Sequence, residues 1–241
     1  MTEALKRRID ELERLLVRVA LEYSPAALAS SLSAEDMVIT DSILRRRLDI
    51  EIFTLDTERL HADTLNVIAA IRRRYGYEVR AIRPDPQAVA QYVTEFGRDA
   101  FYRSAELRKR CCHIRKVEPL ARALQDKEAW ITGQRREQAV TRAELKLQEH
   151  DATHGMVKFN PLADWSEDEV WAYIRSFDVP YNALHDQGYR SIGCAPCTRP
   201  TVAGEDVRAG RWWWERPEAR ECGLHVSPDG RLVREKAEAP A

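Results

Sequence analysis

The chain is expected to fold as an α/β domain, a mostly parallel twisted sheet flanked by helices. Short runs rich in apolar and β-branched residues recur at AALASSL (26–32), DIEIFTLDT (49–57), EVRAI (78–82) and EAWITG (128–133). Segments of helical period, a dozen residues or longer, lie between these runs. Strands that alternate with long helices build βαβ units, whose strands run parallel because the crossover helix returns the chain to the same edge.

The elements follow in order. Leu5, Ile9, Leu12, Leu16 and Val19 repeat at helical spacing and predict an amphipathic opening helix over 4–20. The first strand, 26–32, gives way at Ser33-Ala34 to a helix running from Glu35 into SILRRRL. The second strand ends at Asp56-Thr57. The helix after it carries Leu60, Thr64, Val67, Ile68, Ile71 and Tyr75 on one face and stops at Gly76. Further on, Ser166 and Glu169 form a capping box, with Trp165 and Val170 as its staple, opening EDEVWAYIRSF. Beyond about residue 198, proline, glycine and charge dominate, and little there is expected to build a core. The expected division is therefore 1–197 as the α/β body and 198–241 as an Arg-rich loop and mobile C-terminal arm. In parallel sheets ligands lie beyond the C-terminal strand ends, here SLSAED, LDTERLH and TGQRREQ.

Composition removes several classes of function. Thirty-eight basic and thirty-nine acidic side chains give a net charge of −1, so no global field recruits nucleic acid. The N-terminal residues are charged throughout and form no signal peptide, and no apolar run approaches the roughly 20 residues of a membrane helix. A cytoplasmic location is expected, in which five cysteines read as thiols, metal ligands or redox groups, not structural disulfides.

The chemistry concentrates in those cysteines. Cys111 and Cys112 are adjacent in KRCCHIRK, Cys194 and Cys197 form GCAPC, and Cys222 stands alone in ECGLH. A vicinal pair joined to a distant Cys-x-x-Cys is a poor zinc-ribbon pattern, which uses two loops of spaced thiolates. Vicinal thiolates can instead reach two irons of one cubane cluster. Lys109, Arg110, Arg115 and Lys116 flank the pair and offset thiolate charge, which argues against four merely structural cysteines. Cys222 lies among arginines with His225 nearby, a setting that favours a reactive thiolate over an incidental surface thiol.

Other motifs carry less. SLSAED follows a strand and opens a helix, where backbone N–H groups bind anions, but it lacks the Lys and glycines of an ATPase loop. Its serines, Ser31 and Ser33, either donate hydroxyls to a ligand or cap the helix. His150 and His154 stand four apart in turn-like HDATHG and are expected in a loop, not a metal site. Trp212, Trp213 and Trp214 are expected to anchor the tail to the body.

Taken in order, SLSAED, FTLDTERLH, KRCCHIRKVEPL, ITGQRREQ, GCAPCTRP, GRWWWE and ECGLH resemble the adenylyl-sulfate/phosphoadenylyl-sulfate reductase family of the PP-loop adenine-nucleotide superfamily, over roughly residues 26–226. The resemblance implies an adenine nucleotide alpha hydrolase-like fold and a [4Fe–4S] cluster on Cys111, Cys112, Cys194 and Cys197. It implies Cys222 as nucleophile, anion-binding roles for Lys116, Arg208, Arg211 and His225, and nucleotide-binding roles around Ser31, Ser33 and Gly133. The implied reaction is reduction of adenylyl sulfate to sulfite and AMP in sulfate assimilation, with thioredoxin or a similar dithiol protein as reductant, by a homo-oligomer. Three competing expectations are a phosphoadenylyl-sulfate reductase, a cluster-dependent tRNA thiolation enzyme, and a zinc-stapled nucleotide-binding module without catalysis.

Overall fold

A computed structural model describes residues 1–139 and 142–215 of the chain. The opening helix α1 (Glu3–Glu22) buries Leu5, Ile9, Leu12, Leu16 and Val19, the stripe expected from spacing, and Thr2 caps it by accepting from the Leu5 N–H. Then come β1 (Ala26–Ala29), α2 (Ala34–Arg45), β2 (Ile50–Leu55), α3 (Ala62–Tyr75), β3 (Arg80–Ile82) and α4 (Pro86–Phe96). Gly76 ends α3 with φ 67°, a left-handed turn that costs glycine nothing. The second half supplies α5 (Ala105–Cys112), α6 (Glu118–Leu124), β4 (Ala129–Ile131), β5 (Gln148–Asp151), β6 (Met156–Phe159) and α7 (Glu167–Phe177). The Ser166–Glu169 capping box forms as expected at the start of α7, and Trp165 and Val170 are both buried.

One six-stranded sheet runs in the order β3-β2-β1-β4-β6-β5, parallel except for β5 against β6. The four expected strands, β1 to β4, are four of its five parallel strands. Sequence reading missed the β5–β6 hairpin because β5 is Gln-Glu-His-Asp, a polar edge strand with no hydrophobic signal. Residues 152–155 make its turn, and the expected loop for both histidines is corrected: His150 lies in β5, paired with Val157 in the ladder, while His154 in the turn meets Asp151 Oδ2 through Nδ1 at 2.8 Å. The main core lies between the sheet and α1, α2, α3 and α7, with Leu28, Ile52, Ile131 and Phe159 fully buried.

Two features position the site. Between α5 and α6 the helix widens into a π turn over His113–Val117, and this extra residue re-aims Arg115 and Lys116. The segment 198–215 also packs more tightly than its composition suggests. Thr198 bridges Arg211, and Trp212 is 1% exposed against Phe101, Cys194 and Cys197. The tryptophans do anchor this segment, with Trp212 buried and Trp213 37% exposed. Among the described residues no helix is long and apolar enough to cross a membrane.

Candidate active site

The C-terminal ends of β1, β2 and β4 open into one cleft. Ser31 and Ser33 line it from the first loop, Thr57 from the second, and Thr132, Gly133 and Gln134 from the third. The first loop is strained and fixed: Leu32 takes φ 62°, unfavourable for a branched side chain, and is held there by complete burial. Asp36, which the sequence reading did not single out, ties this loop together. Its Oδ2 accepts from the Ser31 N–H at 2.6 Å and from the Ser31 hydroxyl at 2.5 Å. Burial pushes the Asp36 carboxyl up to about 6, against the lowering effect of the Ser31 and Gly133 donors.

The two serines therefore differ. The Ser31 proton is committed to Asp36, so toward a ligand Ser31 offers lone pairs and not a donor. Ser33 occupies the N-cap of α2 but makes no side-chain capping bond, and its hydroxyl faces the cleft. Gly133 sits where a Cβ would run into the Asp36 carboxylate and come within 3.1 Å of the Asp36 backbone nitrogen. Gly133→Ala is accordingly expected to force the loops apart and lower stability by about 1–3 kcal/mol, as read by thermal unfolding, the usual cost of overpacking a well-packed position.

Cations close the other side. Lys116 enters from the π turn, and Arg208 and Arg211 from the 198–215 segment. Arg211 is nearly buried, donates to the Ile192 carbonyl at 3.1 Å, and crosses Gly193 so closely that any Cβ there would strike its guanidinium. Arg142 and Arg190, not foreseen from sequence, also line the cleft.

Behind this wall lies a second, smaller cavity lined by Cys111, Cys112, Cys194 and Cys197 together with Arg108, Arg115, Lys116 and Trp212. Lys116 and Cys194 line both spaces. The four cysteines, remote in sequence, are brought together as expected, and none of them is joined in a disulfide. Burial alone would raise the Cys194 thiol, but Lys116, the Thr57 hydroxyl 3.2 Å away, Arg211 and Arg115 outweigh it and hold the thiol below its usual range. Burial, with Cys194 and Cys112 adding to it, pushes Cys197 up to about 12. Four thiolates cannot all ionise in this space without a positive group among them.

The donor set tests which group fits. Among the described residues no three His, Cys, Asp or Glu side chains converge on a point able to hold one metal ion. The four cysteines share one cavity, and four thiolates are a donor set that suits a zinc ion or an iron–sulfur cluster. Among the described residues the buried indole N–H of Trp212, on the cavity wall, finds no acceptor, nor does that of Trp214, packed beside Phe101 and the cysteines. Sulfide or metal-bound thiolate is an acceptor of the kind such donors require. Cys222 and His225 lie outside the described residues.

Comparison with known proteins decides the family. The phosphoadenosine phosphosulfate reductase domain matches residues 25–200, well over half of the chain. The chain belongs to this reductase family. An adenosine 5'-phosphosulfate reductase of Burkholderia cepacia is 56% identical over 94% of this chain and 91% of its own length. One from Allochromatium vinosum is 56% identical over 93% and 88%. In fold, the chain is similar to the phosphoadenylyl-sulfate reductase of Candida auris, with TM-score 0.68 and 23% identity over 83% of this chain and 98% of that one. The FMN adenylyltransferase of Candida glabrata follows with TM-score 0.57 and 15% identity over 91% and 75%. The reductase fold thus opens a cleft at the strand ends and adds the cysteine cavity behind it. Thr57, Asp36 and Arg108 are the residues that sequence reading did not single out, while Arg115, expected beside the cysteines, lines their cavity. The LDT and SAED motifs pointed to the right loops, but nothing in them separates a site residue from a cap.

Proposed function

We propose that the chain reduces adenylyl sulfate to sulfite and AMP, as an assimilatory reductase acting through Cys222. The observation that carries this reading is the shared wall: Lys116 and Cys194 face both a cation-lined nucleotide cleft and a four-cysteine cavity. The sulfur of a phosphosulfate anhydride is electrophilic, and AMP leaves as a stable anion that needs no proton. A thiolate held in line by cations is then the main requirement. The Cys222 thiolate forms an S–S bond to the sulfonate sulfur while the S–O bond to phosphate breaks, giving S-sulfocysteine and AMP. A thiolate of a dithiol protein of the thioredoxin type attacks the Cys222 Sγ and expels sulfite. Its second thiol then resolves the mixed disulfide, so the dithiol supplies both electrons.

Lys116, Arg208 and Arg211 take the phosphate and sulfate charge in this reading, with His225 beside Cys222 in sequence. Ser33, Gly133 and the lone pairs of Ser31 serve the nucleoside. A [4Fe–4S] cluster on Cys111, Cys112, Cys194 and Cys197 would hold the two halves of the site together and supply charge beside Lys116. The names of relatives at 53–56% identity favour adenylyl sulfate as substrate. Arg142 and Arg190 in the cleft keep phosphoadenylyl sulfate as a second reading. Anaerobically purified protein with reduced thioredoxin should release sulfite from adenylyl sulfate and little from phosphoadenylyl sulfate. The converse preference selects the second reading, and no sulfite from either overturns both.

The cation set gives a separate test. Lys116→Ala, Arg208→Ala and Arg211→Ala are each expected to lower kcat/KM ten- to hundredfold, since a charge-assisted bond is worth about 1.5–3 kcal/mol. Arg46→Ala is the control. Arg46 lies at the C-terminal end of α2, 42% exposed and paired with Glu13 at 2.7 Å, an interaction worth about 0–1 kcal/mol. Four equal effects would show that the anion site lies elsewhere.

A further inference from the structure

One buried ion pair stands where the described chain ends. Arg108 is 0% exposed, and its guanidinium grips Glu215 with Nε to Oε1 at 2.7 Å and a second N–H to Oε2 at 3.0 Å. The same guanidinium donates to the Cys112 sulfur and lies 4.7 Å over the Trp212 ring. Arg108 and Cys112 are one turn apart on α5, so the helix itself sets their common face. The Arg211 guanidinium also lies 4.7 Å from the Trp212 ring, and Arg211 lines the nucleotide cleft. Trp212 is pinned by its N–H to the Cys197 carbonyl at 3.1 Å, and the Glu215 N–H returns to the Trp212 carbonyl at 2.8 Å. Residues 211–215 therefore clasp the nucleotide cleft, two cysteines and Arg108 in a single turn.

A buried pair of this kind is a poor source of stability, because desolvating both charges offsets most of their attraction. Its fork geometry fixes orientation instead. Cys222 follows Glu215 by seven residues, which in a fully extended chain reach at most about 25 Å. We propose that Arg108 and Glu215 are positioning residues that anchor the start of the Cys222 segment to the cysteine cavity, so that the thiolate is delivered to the nucleotide cleft from a fixed point. The inference rests on the reading of Cys222 as nucleophile. It assigns to α5 a second task besides carrying Cys111 and Cys112, that of holding the catalytic segment in register.

Glu215→Gln keeps shape and removes the charge, and Arg108→Lys keeps charge and removes the fork. The full-length, anaerobically purified protein is mixed with adenylyl sulfate without reductant, and sulfonated Cys222 is followed by quenched-flow mass spectrometry. Adduct formation is expected to slow at least tenfold in Glu215→Gln and by a smaller factor in Arg108→Lys. Iron content and equilibrium AMP affinity should stay within twofold of the wild type in both. A loss of iron or of AMP binding in proportion to the rate would mean a merely structural pair and overturn the proposal. So would adduct formation at the wild-type rate. If Glu215→Gln does not fold, Arg108→Lys decides by the same comparison. Wild-type protein that gains no adduct on Cys222 sinks the nucleophile reading, whereas an adduct in wild type and variants alike sinks the anchor alone.

Discussion

Cys222→Ser is expected to abolish turnover while the protein keeps its fold, its visible colour and its nucleotide affinity. Among the described residues, the cations and loops that line the cleft come from the ends of β1, β2 and β4, the π turn and the 198–215 segment, all of which the change leaves in place. A serine hydroxyl ionises far less readily than a thiol and finds no base in this scheme, so a residual rate below about 10⁻³ of wild type follows. Wild-type protein given adenylyl sulfate without reductant should gain one sulfonate mass, located on the peptide that contains Cys222. Reduced thioredoxin should remove it and release an equal amount of sulfite. An adduct on another cysteine, or an active Ser variant, would require a different nucleophile. Cys194 is the informative alternative, because it is the one thiol of the quartet that faces the nucleotide cleft and is held below its usual pKa.

What could be read in advance follows from which forces act locally. Four of the five parallel strands were legible because β1 and β4 read as short apolar runs, Ala-Ala-Leu-Ala and Ala-Trp-Ile, and β2 as an apolar and β-branched one interrupted only by Glu51. The β5–β6 hairpin was not, since the pairing of Gln148 through Asp151 depends on a partner strand and not on side-chain pattern. The cysteine quartet was legible by residue type, but its geometry was not. The π turn that brings Lys116 into both cavities is a single extra residue in an otherwise helical stretch. Composition misled at 198–215, where Thr198, Arg211 and Trp212 are buried by contacts with the cysteine loop and not by hydrophobic periodicity of their own. Asp36 illustrates the remaining gap. In sequence it is an acid in a first helical turn, favourable with the helix dipole; in space it is the acceptor that consumes the Ser31 proton and dictates a glycine at 133.

Replacing any one of Cys111, Cys112, Cys194 or Cys197 by Ser should remove the brown colour, with its broad absorbance near roughly 400 nm, and most of the iron and sulfide. Wild-type protein purified without oxygen should contain about four of each per chain, as a cluster on four thiolates requires. The cost to folding should be large. Arg108 and Arg115 are nearly buried against this cavity, and Arg115 also donates to the Thr57 carbonyl at 2.7 Å. Replacing a thiolate removes part of the negative charge that offsets them, with Glu215 on Arg108 and Glu58 on Arg115 remaining, and the cost approaches the about 3–5 kcal/mol of a broken buried pair only where that charge is the larger share. The four positions should not be equal. Cys111 is only partly buried at the cavity rim, so a hydroxyl there can reach water, and its variant should lose the least stability. Cys194 meets the Thr57 hydroxyl, bridges Leu60 and borders the nucleotide cleft, so its variant should lose AMP affinity as well as iron. Thermal unfolding, iron and sulfide assay and AMP titration on the four variants separate these effects. About one zinc and no sulfide in the wild type would replace the cluster with a structural ion. Full activity in a colourless, iron-free wild type would remove it from the protein altogether.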